Sequence, residues 1–84
     1  MNLQDPELNK AILDVLQKVQ AGLKAEILRD EVAIKLRRPS LTTQDFDNAI
    51  RFLEARDLIA RDLNLLGRPI FTITPRGEAA LEGA

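Results

Sequence analysis

The 84-residue chain reads as one α+β domain, residues 1–84, that is mainly helical. The expected order is three helices, a two-stranded hairpin and a short last helix. Three observations predict it. Apolar residues recur at helical spacing in three separate stretches, two short β-prone runs then flank a turn-forming loop, and a Thr-Pro pair opens the final helix. No repeat, linker or low-complexity segment interrupts this order.

The first helix is expected over residues 6–21. Asp5 is placed to cap it, and Pro6 suits the first helical position. Leu8, Ile12, Val15, Leu16 and Val19 then fall on one face, and Gly22 is a natural stop. Leu23, Ala25 and Ile27 alternate with Lys24 and Glu26. So short a run fits a strand and the entry to the next helix equally well. The second helix, residues 24–37, carries Leu28, Val32 and Leu36 at i, i+4 and i+8, and Pro39 ends it.

Thr42 caps a third helix over residues 42–56, with Asp45 in its first turn complementing the dipole. Phe46, Ala49, Ile50 and Leu53 form its buried stripe, and Phe52 flanks that stripe as a core residue. Asp57 takes the left-handed turn position, which aspartate tolerates better than most residues. Strands over 59–63 and 70–73 enclose the loop Asn64-Leu65-Leu66-Gly67-Arg68-Pro69. Thr74-Pro75 then starts the last helix, residues 75–82.

Composition narrows the function. Hydrophobic residues make up 45% and charged residues 30%, the profile of a soluble globular domain. No signal peptide and no membrane-length apolar run is visible, so a cytoplasmic location and no membrane partner are expected. The chain has no cysteine, histidine, tryptophan or tyrosine, and one serine, Ser40. Thiolate metal sites, the commonest general base and an activated serine are therefore ruled out. The expectation is a protein that is not an enzyme and holds no cofactor or metal.

The formal net charge is −1 and the pI about 5.3. Its distribution is uneven. Residues 1–34 carry four basic and six acidic side chains, a net of −2, and residues 35–84 eight basic and seven acidic, a net of +1. The excess of positive charge lies in the half that holds the third helix and the hairpin.

The segments IRFLEARDLIAR (50–61) and FTITPRGEAAL (71–81), with the hairpin between them, resemble the winged helix-turn-helix domains of MarR-like and PadR-like bacterial transcription regulators. The resemblance covers roughly residues 23–81. It implies a three-helix core, a two-stranded wing and a short C-terminal helix, with double-stranded DNA as partner and transcription regulation as task. It also implies a homodimer, since palindromic operators are read by twofold pairs. Three departures stand out. Asp57 replaces a frequent glycine, the wing tip offers Leu65 and Leu66 where such tips are often basic, and the long extra helices of MarR-like dimers have no counterpart among the segments read here.

In such a motif the second helix enters the major groove. At about 100° per residue, the side opposite Phe46 and Leu53 presents Gln44, Asp47, Asn48 and Arg51. Gln44, Asn48 and Arg51 are the candidate base readers, since amide side chains pair bidentately with adenine and arginine with guanine. Thr43, Lys35, Arg37, Arg38, Arg61 and Arg68 are the candidate backbone contacts, with Thr42 beside them. Arg61, Arg68 and Arg76 can instead pair with Asp62 and Glu78. Asp45 and Asp47 repel phosphate unless turned aside or paired with Arg51.

A rival reading keeps the fold but makes it a protein-interaction module or a subunit of a larger assembly. It rests on the acidic pI, the two aspartates and an apolar wing tip whose Leu65 and Leu66 either fold back on the last helix or meet another protein. The outer side of the first helix, with Leu3, is a second place for a symmetry mate.

Overall fold

The computed structural model describes residues 5–83. The elements run α1 (Pro6–Lys18), β1 (Leu23–Lys24), α2 (Ala25–Leu36), α3 (Thr43–Ala55), β2 (Ile59–Leu63), β3 (Pro69–Ile73) and α4 (Pro75–Glu82). The expectation for Leu3 lies outside the described residues.

The apolar stripes turn inward and meet. The largest fully buried side chains are Phe46, Ile12, Leu16, Leu28, Leu53 and Val32, drawn from α1, α2 and α3 alone. Ile59 and Phe71 extend this core onto the sheet. Among the described residues no polar or charged residue is buried as a whole, and each large apolar side chain taken into the core contributes about 1.5–3 kcal/mol. Among those residues the Asn9 side-chain oxygen is buried without a hydrogen-bond partner and offsets part of that gain.

The sheet has three strands, not two. β1 pairs antiparallel with β3, Leu23 opposite Phe71, and β3 pairs antiparallel with β2, giving the order β1-β3-β2. The ambiguous segment 23–27 is thus divided: two residues of strand, then helix from Ala25. A two-residue strand is too short to show a period of its own; it exists because β3 offers it an edge.

That pairing also shortens the first helix. α1 ends at Lys18 instead of residue 21, because the chain must turn to reach β3. The Val19 amide donates to the Leu16 carbonyl and the Gly22 amide to the Val19 carbonyl, closing two tight turns. Gly22, at φ +90°, passes close to β3, and a Cβ there would lie 3.0 Å from the Phe71 carbonyl oxygen. The glycine serves the strand contact more than the helix stop.

The other boundaries move by one residue, as caps replace helix ends. Lys24 and Arg37 flank α2, Thr42 and Arg56 flank α3, and β3 begins at Pro69. The proline opens the strand, where its missing amide costs no ladder bond. Asp57 does adopt the left-handed conformation, φ 58°, and Arg37 shares it at φ 54°.

Thr74 ties the end of the wing to the turn after α3 and to α4. The Thr74 hydroxyl accepts from the Gly77 amide at 3.0 Å, capping α4, and donates to the Asp57 carbonyl at 2.6 Å. The Thr74 amide donates to the Leu58 carbonyl. Gly77 is buried against this turn: a Cβ would collide with the Leu58 carbonyl oxygen and stand 2.8 Å from Ile73 Cγ1. Gly77→Ala is therefore expected to destabilise the fold by about 1–3 kcal/mol in urea unfolding, as overpacking does. Gly83→Ala, at a position with ordinary clearance, should stay within about 0.5 kcal/mol. Equal stability of the two variants would contradict the close packing at Gly77.

Candidate nucleic-acid interface

α3 presents its sides as its sequence dictates. With Phe46, Ala49, Ile50 and Leu53 buried, Gln44, Asn48 and Arg51 form an exposed row on the opposite side. The Thr42 hydroxyl accepts from the Asp45 amide at 3.0 Å, so the helix start is fixed. Asp45 lies in the first turn, where a carboxylate complements the dipole. Among the described residues Arg51 has no ion pair within 4.0 Å, so neither Asp45 nor Asp47 is paired with it, one of the two alternatives open to them.

Between α3 and the wing lies an open groove of about 300 Å³. Asp47, Ile50 and Arg51 line it from α3, and Arg61, Pro69 and Phe71 from the sheet. The outward row of α3 is thereby continuous with the wing through Arg51.

The start of α3 holds a cation that the sequence did not reveal. Arg29 of α2 donates from Nη1 to the Thr43 hydroxyl oxygen at 2.6 Å. Thr43 keeps its own hydroxyl proton to donate, so a guanidinium, a hydroxyl and the first-turn amides converge at one helix N-terminus. Position 29 borders the inward stripe of Leu28 and Val32, which is the only signal in the sequence that it faces α3.

The other candidates divide. Arg37 and Arg68 are exposed and without an ion pair among the described residues. Lys35 stands 4.0 Å from Asp14 of α1. Arg38 bonds Asp5 Oδ2 at 2.6 Å and Glu7 Oε2 at 3.1 Å, both at the start of α1. Arg61 bonds Glu54 at 2.9 Å and lies 5.2 Å from the centroid of the Phe71 ring. Its partner is Glu54, not the expected Asp62, whose carboxylate accepts from the Leu63 amide at 2.8 Å. Lys35, Arg38 and Arg61 must each release a carboxylate to reach a phosphate.

The wing tip is ordered by Asn64. Its side-chain oxygen accepts from the amides of Leu66 and Arg68, at 2.9 and 3.0 Å. Leu65 and Leu66 are 106% and 77% exposed, so they do not fold back on α4. Phe52 packs partly buried against the core, as expected, with the Arg56 guanidinium 4.4 Å from its ring centroid.

No family model matches the chain, and no curated protein does either. Solved structures do. A glycine-to-lysine variant of MepR from Staphylococcus aureus gives a TM-score of 0.68 at 27% identity over 89% of this chain. The fold is that of a MarR-like winged-helix regulator. A phenylalanine-to-leucine variant of MepR bound to an oligodeoxyribonucleotide gives 0.68 at 26% identity, again over 89% of this chain. A further structure, MepR as a transcription regulator of the S. aureus multidrug efflux pump MepA, gives 0.65 at 25% identity over 92%. This chain spans about half the length of the MepR chains, 51–52%. No helix among the described residues is long and apolar enough to cross a membrane, and no group of three or more potential metal ligands occurs there.

The Arg38 link has a pH signature. Its hydrogen bond to Asp5, with help from the Leu8 and Glu7 amides, holds the Asp5 carboxyl below the usual carboxylate range despite some desolvation. The folded state thus binds this proton less readily than the unfolded one. The resulting stabilisation is complete above about pH 4 and is lost as pH falls through the lower, folded value. Asp5→Asn, which can still cap α1, lacks this component. Its urea midpoint should therefore fall less than that of the unsubstituted protein between about pH 6 and about pH 3. Equal falls would show that the Asp5–Arg38 contact adds nothing to stability.

Proposed function

We propose that this chain is a double-stranded DNA-binding winged-helix protein that regulates transcription in the cytoplasm, without catalysis or cofactor. The observation that carries the reading is the row Gln44, Asn48 and Arg51, exposed opposite the buried stripe of α3 and continuous with the wing. The likeness to an oligonucleotide-bound MepR variant supports it.

In this reading Gln44, Asn48 and Arg51 meet base edges in the major groove. The Thr43 hydroxyl, with Arg29 behind it and the α3 amides beside it, takes a phosphate. Arg37 and Arg68 hold the backbone on either side. Lys35, Arg38 and Arg61 are reserve contacts, each exchanging a carboxylate for a phosphate. Two copies meeting on the DNA present two such helices to a palindromic site.

The apolar wing tip favours a second reading, a protein-interaction module or assembly subunit without DNA binding whose contact centres on Leu65 and Leu66.

Fluorescence anisotropy with duplex DNA, at low and physiological salt, tests the first reading. Arg51→Ala is expected to cost about 1–3 kcal/mol on a selected site and to relax specificity at one position. Arg37→Ala should weaken binding evenly across sequences and reduce the salt slope by about one. Arg38→Ala should change affinity less, because its side chain is already engaged with Asp5 and Glu7. If Arg51→Ala and Arg37→Ala both leave affinity unchanged, the assignment is wrong.

A further inference from the structure

The large apolar side chains that the described residues leave exposed fall in two places: Ile27 and Ile34 on α2, and Leu63, Leu65 and Leu66 on the wing. The α2 pair is not scattered. Positions seven apart lie within about 20° of each other around a helix and about 10.5 Å apart along it. Leu28, Val32 and Leu36 face the core and its margin, so Ile27 and Ile34 run along the middle of the outward side. Asp30 and Glu31 flank that stripe midway between the two isoleucines, one on each side, and both are exposed.

The wing tip has the complementary character. It is narrow, since paired strands stand about 4.7–4.9 Å apart. Asn64 holds it in shape, so little conformational freedom is lost on contact. Arg68 beside the leucines is an exposed cation with no ion pair among the described residues, as Asp30 and Glu31 are anions with none. The nearest wing acid, Asp62, is turned to the Leu63 amide, and Arg61 is held by Glu54.

We propose that the wing tip of one copy of this chain docks on the outward face of α2 of a second copy. Leu65 and Leu66 enter between Ile27 and Ile34, and Arg68 meets Asp30 and Glu31. Charge selects this pairing over the symmetric ones. Tip against tip brings Arg68 to Arg68. Two α2 helices packed antiparallel with Ile27 on Ile34 set Asp30 against Glu31. Only the unlike pairing joins apolar to apolar and cation to anion.

The contact is head to tail, so each pair leaves one wing and one α2 face free, and association continues into longer chains. It is also small. A stable interface takes about 800 Å² and some 20–30 residues from each partner, and a hairpin tip on a helix face supplies far fewer. Self-association is therefore weak and reversible. It goes beyond DNA binding and is measured on free protein, so it stands or falls separately from that reading.

Sedimentation velocity from about 10 μM to about 1 mM at low salt tests it with two variants at exposed positions. One is Leu65→Ser with Leu66→Ser; the other is Ile27→Ser with Ile34→Ser. The unsubstituted chain is expected to rise in mass with concentration beyond that of a pair, and to lose this with added salt. Each variant alone should stay a monomer. Mixed in equal amounts, they should form a one-to-one pair and nothing larger, since one intact wing then finds one intact α2 face. A monomer at every concentration of the unsubstituted chain would overturn the proposal. So would association of the α2 variant alone, as tip-to-tip contact requires, or a mixture that stays monomeric.

Discussion

Burial of Phe46, Ala49, Ile50 and Leu53 is the constraint from which the rest of the structure follows. Turning α3 about its axis by one residue would bring a polar side chain into a core that holds none. At about 1.5–3 kcal/mol for each large side chain buried, the rotation of the helix is firmly set. Gln44, Asn48 and Arg51 face outward as a consequence of what lies behind them. The direction of the helix is fixed separately, by the Thr42 cap at one end and the left-handed Asp57 at the other. The candidate site is thus the reverse side of the core.

Electrostatics explains how a chain of near-neutral charge keeps some of its cations free of ion pairs. Arg38 spends its charge on Asp5 and Glu7, Lys35 lies beside Asp14, and Arg61 meets Glu54. The carboxylates of α1 thereby steady the connector between α2 and α3. Among the described residues Arg37, Arg51 and Arg68 remain without ion pairs on the surfaces around α3 and the wing. Net charge sums over both groups and so says little about either. Exposed ion pairs are worth only about 0–1 kcal/mol each, which leaves the paired cations exchangeable.

The helical faces were legible in the sequence because each is written in a period of its own residues. The three caps, Asp5, Thr42 and Thr74, were legible for the same reason: each acts three residues ahead, and all three make the expected bond. What was not legible depends on residues far apart. β1 is a strand only because β3 lies beside it, and α1 stops early only to permit that pairing. Arg29 reaches Thr43 across 14 positions and Arg38 reaches Asp5 across 33, distances at which no local pattern speaks. The exposed row on α3 could be read from its spacing; which cations stand free near it could not.

The loop that Asn64 closes separates shape from identity. Its hydrogen bonds run from backbone amides to one asparagine side chain and between the backbones of Asn64, Gly67 and Arg68. The side chains of Leu65 and Leu66 take no part. These two positions can therefore be exchanged singly during evolution, each intermediate still folded, while Asn64 and Gly67 stay in place. The wing tip is the part of this chain most open to new binding partners at least cost to its stability, and in protein engineering it is the natural place to graft a short recognition sequence.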